Sequence, residues 1–122
     1  MPDIQIGLVD DDPSVRKGMA RLLRSAGYAV QTFASGEECL ASGELAALGC
    51  LIVDVHLGGI TGFELVSSLK KAGRMRPVIF ITAHDEAMTR DALQVAGSPV
   101  CLRKPVPAES LLAAVRRHLE VG

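Results

Sequence analysis

Acidic, hydroxyl and basic side chains stand at the ends of four short apolar runs of this chain. In sequence order they are Asp10 and Asp11 after residues 4–9, Asp54 after 50–53, Thr82 after 77–81, and Lys104 shortly after 100–102. Each residue on its own is commonly a helix cap, a strand terminator or a solvated charge. Their joint occurrence at four separate ends is much harder to attribute to capping, and it indicates one shared site.

The chemistry that this set permits is phosphoryl transfer to an aspartate. Carboxylates crowded together resist joint ionisation unless a cation lies between them, and oxygen ligands of this kind suit Mg²⁺. A carboxylate such as that of Asp54 can act as a nucleophile and form an aspartyl phosphate. The ammonium of Lys104 and the hydroxyl of Thr82 would contact the transferring phosphoryl oxygens. The sequence therefore predicts reversible phosphorylation of Asp54, with no base or second carboxylate beside it dedicated to hydrolysing the product.

The element that must position Asp54 is a buried strand. Residues 50–53 form an unbroken apolar run, too short for a helix and rich in strand formers, which is typical of a strand buried on both faces of a parallel sheet. Asp54 would stand at its carboxyl end, where open α/β sheets bind their ligands. Behind it, Gly58, Gly59 and Gly62 would let the backbone turn tightly before the next helix.

Strands and helices alternate along the whole chain. Strands are predicted at 4–9, 28–33, 50–53, 77–81 and 100–102. Helices are predicted to begin at Asp12-Pro13, at capping boxes of Ser35 with Glu38 and of Thr61 with Glu64, at about residue 86, and at Pro107. The helix at about 86–96 would end at Gly97, whereas the connection 41–49 has no clear boundaries. Five strands alternating with five helices demand parallel strands and right-handed crossovers, so we expect one α/β domain over residues 1–122 with helices on both faces.

Composition and charge exclude several classes of function. The 122 residues are 48% hydrophobic and 3% aromatic with a net charge of −1, so the core is aliphatic and no overall basic field collects nucleic acid or anionic membrane. The three cysteines lack the spacing of a metal site or a disulfide framework, which favours a reducing compartment. No signal peptide and no run of membrane-spanning length is visible. We therefore expect a cytoplasmic protein that binds neither nucleic acid nor membrane directly.

The chain resembles the receiver domain of bacterial two-component response regulators over essentially its whole length. The matching segments, in the family's order and spacing, are Leu-Val-Asp-Asp-Asp-Pro at 8–13, Leu-Ile-Val-Asp-Val-His-Leu at 51–57, Gly-Phe-Glu-Leu at 62–65, Ile-Thr-Ala-His at 81–84 and Lys-Pro at 104–105. The chain resembles most the FixJ/NarL-like subgroup, whose members usually continue into a helix-turn-helix DNA-binding domain. The resemblance implies a doubly wound, flavodoxin-like and CheY-like sheet of strand order 2-1-3-4-5.

The resemblance also implies a role for each matching residue. Asp54 would accept the phosphoryl group from a sensor histidine kinase, Lys104 would contact that group from across a cis bond to Pro105, and Thr82 would move toward it on activation. Mg²⁺ would be held directly by Asp11, through water by Asp10, by Asp54, and by the backbone carbonyl of His56. The expected output is transcription, through a DNA-binding domain or another effector, with a phosphorylation-dependent homodimer formed by the fourth helix and fifth strand. The domain would be no enzyme beyond catalysing its own phosphorylation and dephosphorylation.

Three positions depart from the common pattern of this family. Gly58 stands where many members have proline, which predicts weaker order over residues 56–60 of the unphosphorylated protein. Cys101 stands where an aromatic side chain commonly swings inward, so output is expected to depend more on backbone shifts near Thr82. His56 and His84 either are exposed loop histidines or tune the lifetime of the phosphoryl group with a pH dependence near neutrality.

Three other functions compete with this interpretation. A haloacid-dehalogenase-like phosphatase needs a second carboxylate two residues after its nucleophile, where this chain has His56. A flavin-binding flavodoxin-like domain needs a hydroxyl-rich phosphate loop, whereas Asp10, Asp11 and Asp12 would repel a flavin phosphate. A receiver-like interaction module that signals without phosphorylation is supported by Gly58 and Cys101, although all five key positions are intact.

Overall fold

The computed structural model of the chain describes residues 5–43, 45–83 and 101–121. Of residues 120 and 121 it describes the backbone alone. Its strands are β1 Gln5–Val9, β2 Ala29–Phe33, β3 Leu48–Asp54, β4 Val78–Thr82 and β5 Cys101–Arg103. They form one sheet in the order β2-β1-β3-β4-β5, and every neighbouring pair is parallel. The predicted doubly wound parallel sheet is thereby confirmed, including its strand order.

Four α-helices lie within the described residues. They are α1 Pro13–Ser25, α2 Gly36–Ala41, α3 Gly62–Lys71 and α4 Ala108–Val121, with a short 3₁₀ helix at Leu45–Ala47. The helix predicted at 86–96, its closing Gly97 and the loop residue His84 lie outside the described residues. None of the described helices has the length and apolarity needed to cross a bilayer.

Side-chain caps fix where α1 and α3 begin. The carboxylate of Asp12 accepts hydrogen bonds from the backbone N–H groups of Ser14 and Val15 at the start of α1. At α3, Thr61 Oγ1 accepts from the N–H of Glu64 at 3.1 Å, and Glu64 Oε1 accepts from the N–H of Thr61 at 2.8 Å. Because each box or cap satisfies N–H groups that have no partner inside the helix, both predicted helix starts are confirmed.

The capping box predicted at α2 forms differently. Ser35 Oγ accepts from the N–H of Glu38 at 3.0 Å, as expected of an N-cap. The carboxylate of Glu38 reaches one residue further back, however, and accepts from the N–H of Ala34 at 2.9 Å. The start of α2 therefore carries the predicted cap at Ser35 without the reciprocal bond of a closed box.

Two strands are longer at their carboxyl ends than the apolar runs suggested. Asp54 pairs with Ile81 and is the last residue of β3, and Thr82 pairs with Arg103 and is the last residue of β4. The backbone pairing continues past them, since Val55 N donates to Ile81 O at 2.9 Å and Lys104 N donates to Thr82 O at 2.7 Å. Asp54 and Thr82 are thus held by the rigid ladder of the sheet rather than by a loop.

Two hydrophobic clusters cover the two faces of the sheet. One contains side chains of β3 and β4 packed with α2 and α3, including Leu51, Val53, Phe80, Cys39, Leu65 and Leu69. The other contains the alternate strand residues packed with α1 and α4, including Ile52, Ile79, Ile81, Leu23, Leu111 and Val115. Because successive residues of β3 and β4 enter opposite clusters, both strands are apolar up to Asp54 and Thr82, as a parallel sheet with helices on both faces requires.

Candidate functional site

The candidate site lies at the carboxyl edge of the sheet, where β1, β3, β4 and β5 end together. Asp54 and Thr82 close β3 and β4, Asp10 follows β1 directly, and Lys104 follows β5. The N–H of Asp10 donates to the carbonyl of Phe33 at 3.1 Å, which ties the end of β1 to β2. The structure therefore places these four predicted residues at one edge, each fixed by sheet pairing.

Lys104 connects the two buried carboxylates of the site. Its Nζ lies 2.8 Å from Asp54 Oδ2 and 3.1 Å from Asp10 Oδ2. Asp10 is fully buried, Asp54 is 4% exposed, and the side chain of Lys104 is 19% exposed. The bond from Lys104 to Pro105 is cis, as the family resemblance implied.

The other carboxylate oxygens are held by backbone N–H groups. Asp10 Oδ1 accepts from the N–H of Asp12, and Asp54 Oδ1 accepts from the N–H of His56, each at 2.9 Å. Asp10 Oδ2 has no hydrogen-bond partner among the described residues apart from its ionic contact with Lys104. Both carboxylates are thus oriented with one oxygen on backbone and one directed toward the ammonium.

Three carboxylates at this edge are close enough to share a cation. Oxygens of Asp10, Asp11 and Asp54 lie within 4.8 Å of one another, and Asp11 is exposed to solvent. Oxygen-only donors, one of them exposed to solvent, suit Mg²⁺, which keeps several waters when it binds carboxylates. Because the single ammonium of Lys104 cannot neutralise three carboxylates, the site retains negative charge that a divalent cation would balance.

Burial and charge act in opposite directions on the ionisable groups of the site. Burial raises the pKa of the Asp10 carboxyl, because desolvation of its charged form outweighs the hydrogen bond from Asp12 and the attraction of Lys104. Burial alone would lower the pKa of the Lys104 ammonium. The hydrogen bonds and charges of Asp54 and Asp10 exceed that effect, so the pKa of Lys104 is raised.

The structure describes three of the four other residues that the sequence analysis singled out. Thr82 is buried at the end of β4. His56 is exposed, and its backbone N–H donates to Asp54 Oδ1. Cys101 is half-buried on β5 beside Phe80, with which it is paired in register. His84 lies outside the residues that the structure describes, so its predicted role stays a prediction.

Arg16 is a contact of the site that sequence reasoning missed. Its Nη1 donates to the backbone carbonyl of Asp10 at 2.7 Å. Arg16 lies in the first turn of α1, and the short turn through Asp11 and Asp12 brings that part of α1 back over the end of β1. An arginine four residues after the N-cap Asp12 was the only signal available in the sequence.

The close contact between α3 and the end of β3 depends on Gly62. A Cβ at this position would collide with the carbonyl oxygen of Asp54 and would lie 3.0 Å from Val53 Cγ1. The N–H of Gly62 also donates to Val55 O at 3.0 Å, so α3 begins directly against the strand that carries Asp54.

We expect Gly62→Ala to lower the free energy of unfolding by about 1–3 kcal/mol, as overpacked interiors generally do. The colliding atom belongs to the backbone and cannot rotate away, so β3 or α3 must shift. Denaturant unfolding of the variant measures the effect. Gly43→Ala is the matched control, because a Cβ at Gly43 meets no atom within 4 Å. Equal unfolding midpoints for Gly62→Ala and the parent protein would contradict the expectation.

Comparison with known proteins gives matches that cover nearly the whole chain. The sequence profile of the response regulator receiver domain matches residues 6–116. The response regulator protein TodT of Pseudomonas putida is 36% identical over 118 residues, which cover 96% of this chain and 52% of TodT. The transcriptional regulatory protein FixJ of Azorhizobium caulinodans is 34% identical over 120 residues, which cover 98% of this chain and 57% of FixJ. The chain thus spans about half the length of these curated relatives.

A solved structure of the same size gives a similar result. The chemotaxis protein CheY4 of Vibrio cholerae superposes with a TM-score of 0.88 at 30% identity, and the match covers 97% of this chain and all of that chain. The similarity therefore covers the whole crystallised chain of one protein and about half of the longer regulators.

Proposed function

Because the chain belongs to the family of response regulator receiver domains, we propose that it is the phosphoacceptor of a two-component signalling system, with Asp54 as the residue phosphorylated. The observation that carries this proposal is the geometry of Lys104, whose ammonium contacts Asp54 at 2.8 Å and Asp10 at 3.1 Å. That geometry places a fixed positive charge beside the nucleophilic carboxylate, where a phosphoryl group would arrive.

In the proposed reaction, a carboxylate oxygen of Asp54 attacks the phosphorus of a phosphohistidine on a sensor kinase. The phosphorus–nitrogen bond breaks as the new phosphorus–oxygen bond forms, and the histidine of the kinase leaves as imidazole and takes up a proton. The N–H of His56 orients Asp54 for this attack through its 2.9 Å hydrogen bond. Lys104 stabilises the negative charge on the transferred oxygens, which is the main contribution a protein makes to phosphoryl transfer.

Asp10, Asp11 and Asp54 would hold Mg²⁺, together with the backbone carbonyl of His56. The close approach of the three carboxylate oxygens fits such an ion. When bound, Mg²⁺ supplies positive charge that offsets the charge of the phosphoryl group and of the carboxylates. Thr82, rigidly placed at the end of β4, is proposed to hydrogen-bond the phosphoryl group and so to transmit its presence to the backbone that follows.

A groove beside Lys104 supports docking of the kinase next to the site. The groove has a volume of about 470 Å³ and opens between α1 and the segment that follows β5. Its lining is mainly apolar and includes Val15, Met19, Leu22, Pro105, Val106 and Leu111. An apolar surface adjacent to the nucleophile is suited to a partner helix that carries the phosphohistidine.

The output is proposed to be transcription, since the curated relatives include FixJ, named a transcriptional regulatory protein, and are about twice as long as this chain. A DNA-binding domain or another effector would read the phosphorylated state, and a homodimer formed on phosphorylation is part of the same proposal. The domain is proposed to turn over no separate substrate, since its chemistry is confined to gaining and losing its own phosphoryl group.

The test of this function is the intact mass of the protein after incubation with acetyl phosphate and Mg²⁺. We expect a gain of one phosphoryl group, which is absent when Mg²⁺ is removed by chelation and absent in Asp54→Asn. A gain that persists in Asp54→Asn would place the modification elsewhere. No gain with acetyl phosphate or with a phosphorylated histidine kinase would favour a receiver that signals without phosphorylation.

A further inference from the structure

The loop between β3 and α3 borders the site but lacks a stiffening residue. This loop, residues 55–61, contains Gly58 and Gly59 in succession. A Cβ at Gly58 would lie 3.7 Å from Asp11 Oδ2, so the loop backbone runs directly beside one of the three clustered carboxylates. Two consecutive glycines give the chain many alternative conformations, and some other contact must select this one.

The side chain of Glu37 makes that contact from the first turn of α2. Its Oε2 accepts a hydrogen bond from the N–H of Ile60 at 3.2 Å. The same carboxylate lies against Gly59, where φ is +85° and a Cβ would stand 2.5 Å from Oε2. Ile60 itself is partly buried against the hydrophobic cluster beneath α2 and α3. A carboxylate is also stabilised at this place by the N-terminal end of the α2 dipole.

The neighbouring Glu38 does not share this contact. Its carboxylate accepts from the N–H of Ala34 at 2.9 Å and so serves the start of its own helix. The two adjacent glutamates thus have different partners, one local and one 23 residues along the chain.

We propose that Glu37 is a positioning residue that holds loop 55–61 beside the acidic site and thereby prepares Asp54 and its surroundings for phosphorylation. The carboxylate substitutes for the stiffness that the two glycines do not provide, since it fixes the Ile60 N–H and packs against the backbone of Gly59. This inference rests on the proposed function, because the consequence of a loosened loop is slower phosphorylation of Asp54.

The test compares Glu37→Ala, Glu37→Gln and the matched control Glu38→Ala. The first measurement is amide hydrogen exchange of the loop in the protein without phosphoryl donor or Mg²⁺. Loss of one hydrogen bond is expected to speed exchange of the Ile60 amide about two- to tenfold in Glu37→Ala. In Glu37→Gln the amide oxygen still accepts, so exchange stays near that of the parent protein. Glu38→Ala is expected to lower thermal stability without changing exchange at Ile60.

The second measurement is the rate of phosphorylation by acetyl phosphate with saturating Mg²⁺. Glu37→Ala is expected to lower the maximal rate two- to tenfold with little change in KM for the donor, and Glu37→Gln to restore it. Unchanged Ile60 exchange in Glu37→Ala, an equal rise in Glu38→Ala, or faster exchange with an unchanged phosphorylation rate would each overturn the proposal. Failure of the parent protein to accept phosphate would instead refute the proposed function, and with it the positioning role, while the exchange data would still show whether Glu37 holds the loop.

Discussion

Replacing Lys104 by alanine is expected to slow the phosphorylation of Asp54 about 10²–10³-fold, the cost of removing one group that stabilises transition-state charge. The ammonium is already 2.8 Å from Asp54 Oδ2 and is held by Asp10 on its other side. It would therefore meet the incoming phosphoryl oxygens without reorganisation, and water in the variant would replace it poorly. The rate of mass increase with acetyl phosphate and Mg²⁺ measures this effect.

The same substitution is expected to destabilise the protein when divalent cations are chelated. Without Lys104, the buried carboxylates of Asp10 and Asp54 face each other with no cation between them. Removing one partner of a buried ion pair generally costs about 3–5 kcal/mol, and we expect about 2–3 kcal/mol here because Lys104 keeps some contact with water. Mg²⁺ should restore more stability to Lys104→Ala than to the parent protein, since the ammonium no longer competes for the carboxylates.

Lys71→Ala provides the control for both effects, because Lys71 is exposed at the end of α3. It should phosphorylate at the parent rate and unfold at the parent midpoint. If Lys104→Ala were phosphorylated as fast as Lys71→Ala, the assignment of charge stabilisation to Lys104 would be wrong. If its stability without Mg²⁺ were equal to that of Lys71→Ala, the carboxylates would have another cation.

The fold could be predicted because four of the strands are short apolar runs and most of the helices have a local start signal. Asp12 with Pro13, and Thr61 with Glu64, mark helix starts through contacts within four residues of sequence, and these contacts occur as expected. The shared edge of Asp10, Asp54, Thr82 and Lys104 followed from topology alone, since all strands of a parallel sheet end on the same side.

What could not be predicted depends on contacts between residues distant in sequence. The start of β3 at Leu48 lies within a stretch rich in alanine and glycine, and its pairing with Gln5 includes a register shift that no periodicity reports. The hydrogen bond from Ile60 to Glu37 spans 23 residues and requires the placement of α2 beside the loop. The sequence pattern assigned Glu38 to the start of α2, where its carboxylate does bind, but no sequence signal indicated that the adjacent Glu37 binds a distant loop.

The buried charge of Asp10 predicts a pH dependence that separates metal-free from metal-bound protein. Burial raises the pKa of Asp10 in the folded state above its value in the unfolded chain. Between these two values the folded protein binds a proton that the unfolded chain does not. The ionised carboxyl therefore costs stability at neutral pH, and that cost is relieved as the pH falls from the folded-state pKa to the unfolded-state pKa.

Asp10→Asn isolates this contribution, because it removes the titrating group and keeps its size. With Mg²⁺ chelated, we expect the stability of the parent protein relative to Asp10→Asn to rise as the pH is lowered from 7 toward 4. Denaturant unfolding of both proteins across this range measures the difference. A relative stability that is constant with pH, or one that falls on acidification, would contradict a raised pKa at Asp10.

With Mg²⁺ present, the stability of the parent protein relative to Asp10→Asn should fall, rather than rise, as the pH is lowered from 7. Binding to the folded state alone adds about 1.4 kcal/mol when the free ion is at about ten times its Kd, and it requires ionised carboxylates. The parent protein should therefore gain stability from Mg²⁺ at pH 7 and lose that gain on acidification, while Asp10→Asn gains little at any pH. Equal stabilisation of the two proteins by Mg²⁺ would exclude Asp10 from the metal site. Stabilisation of the parent protein alone would mean that the buried carboxylate which weakens the metal-free domain is also what prepares the domain to bind a cation.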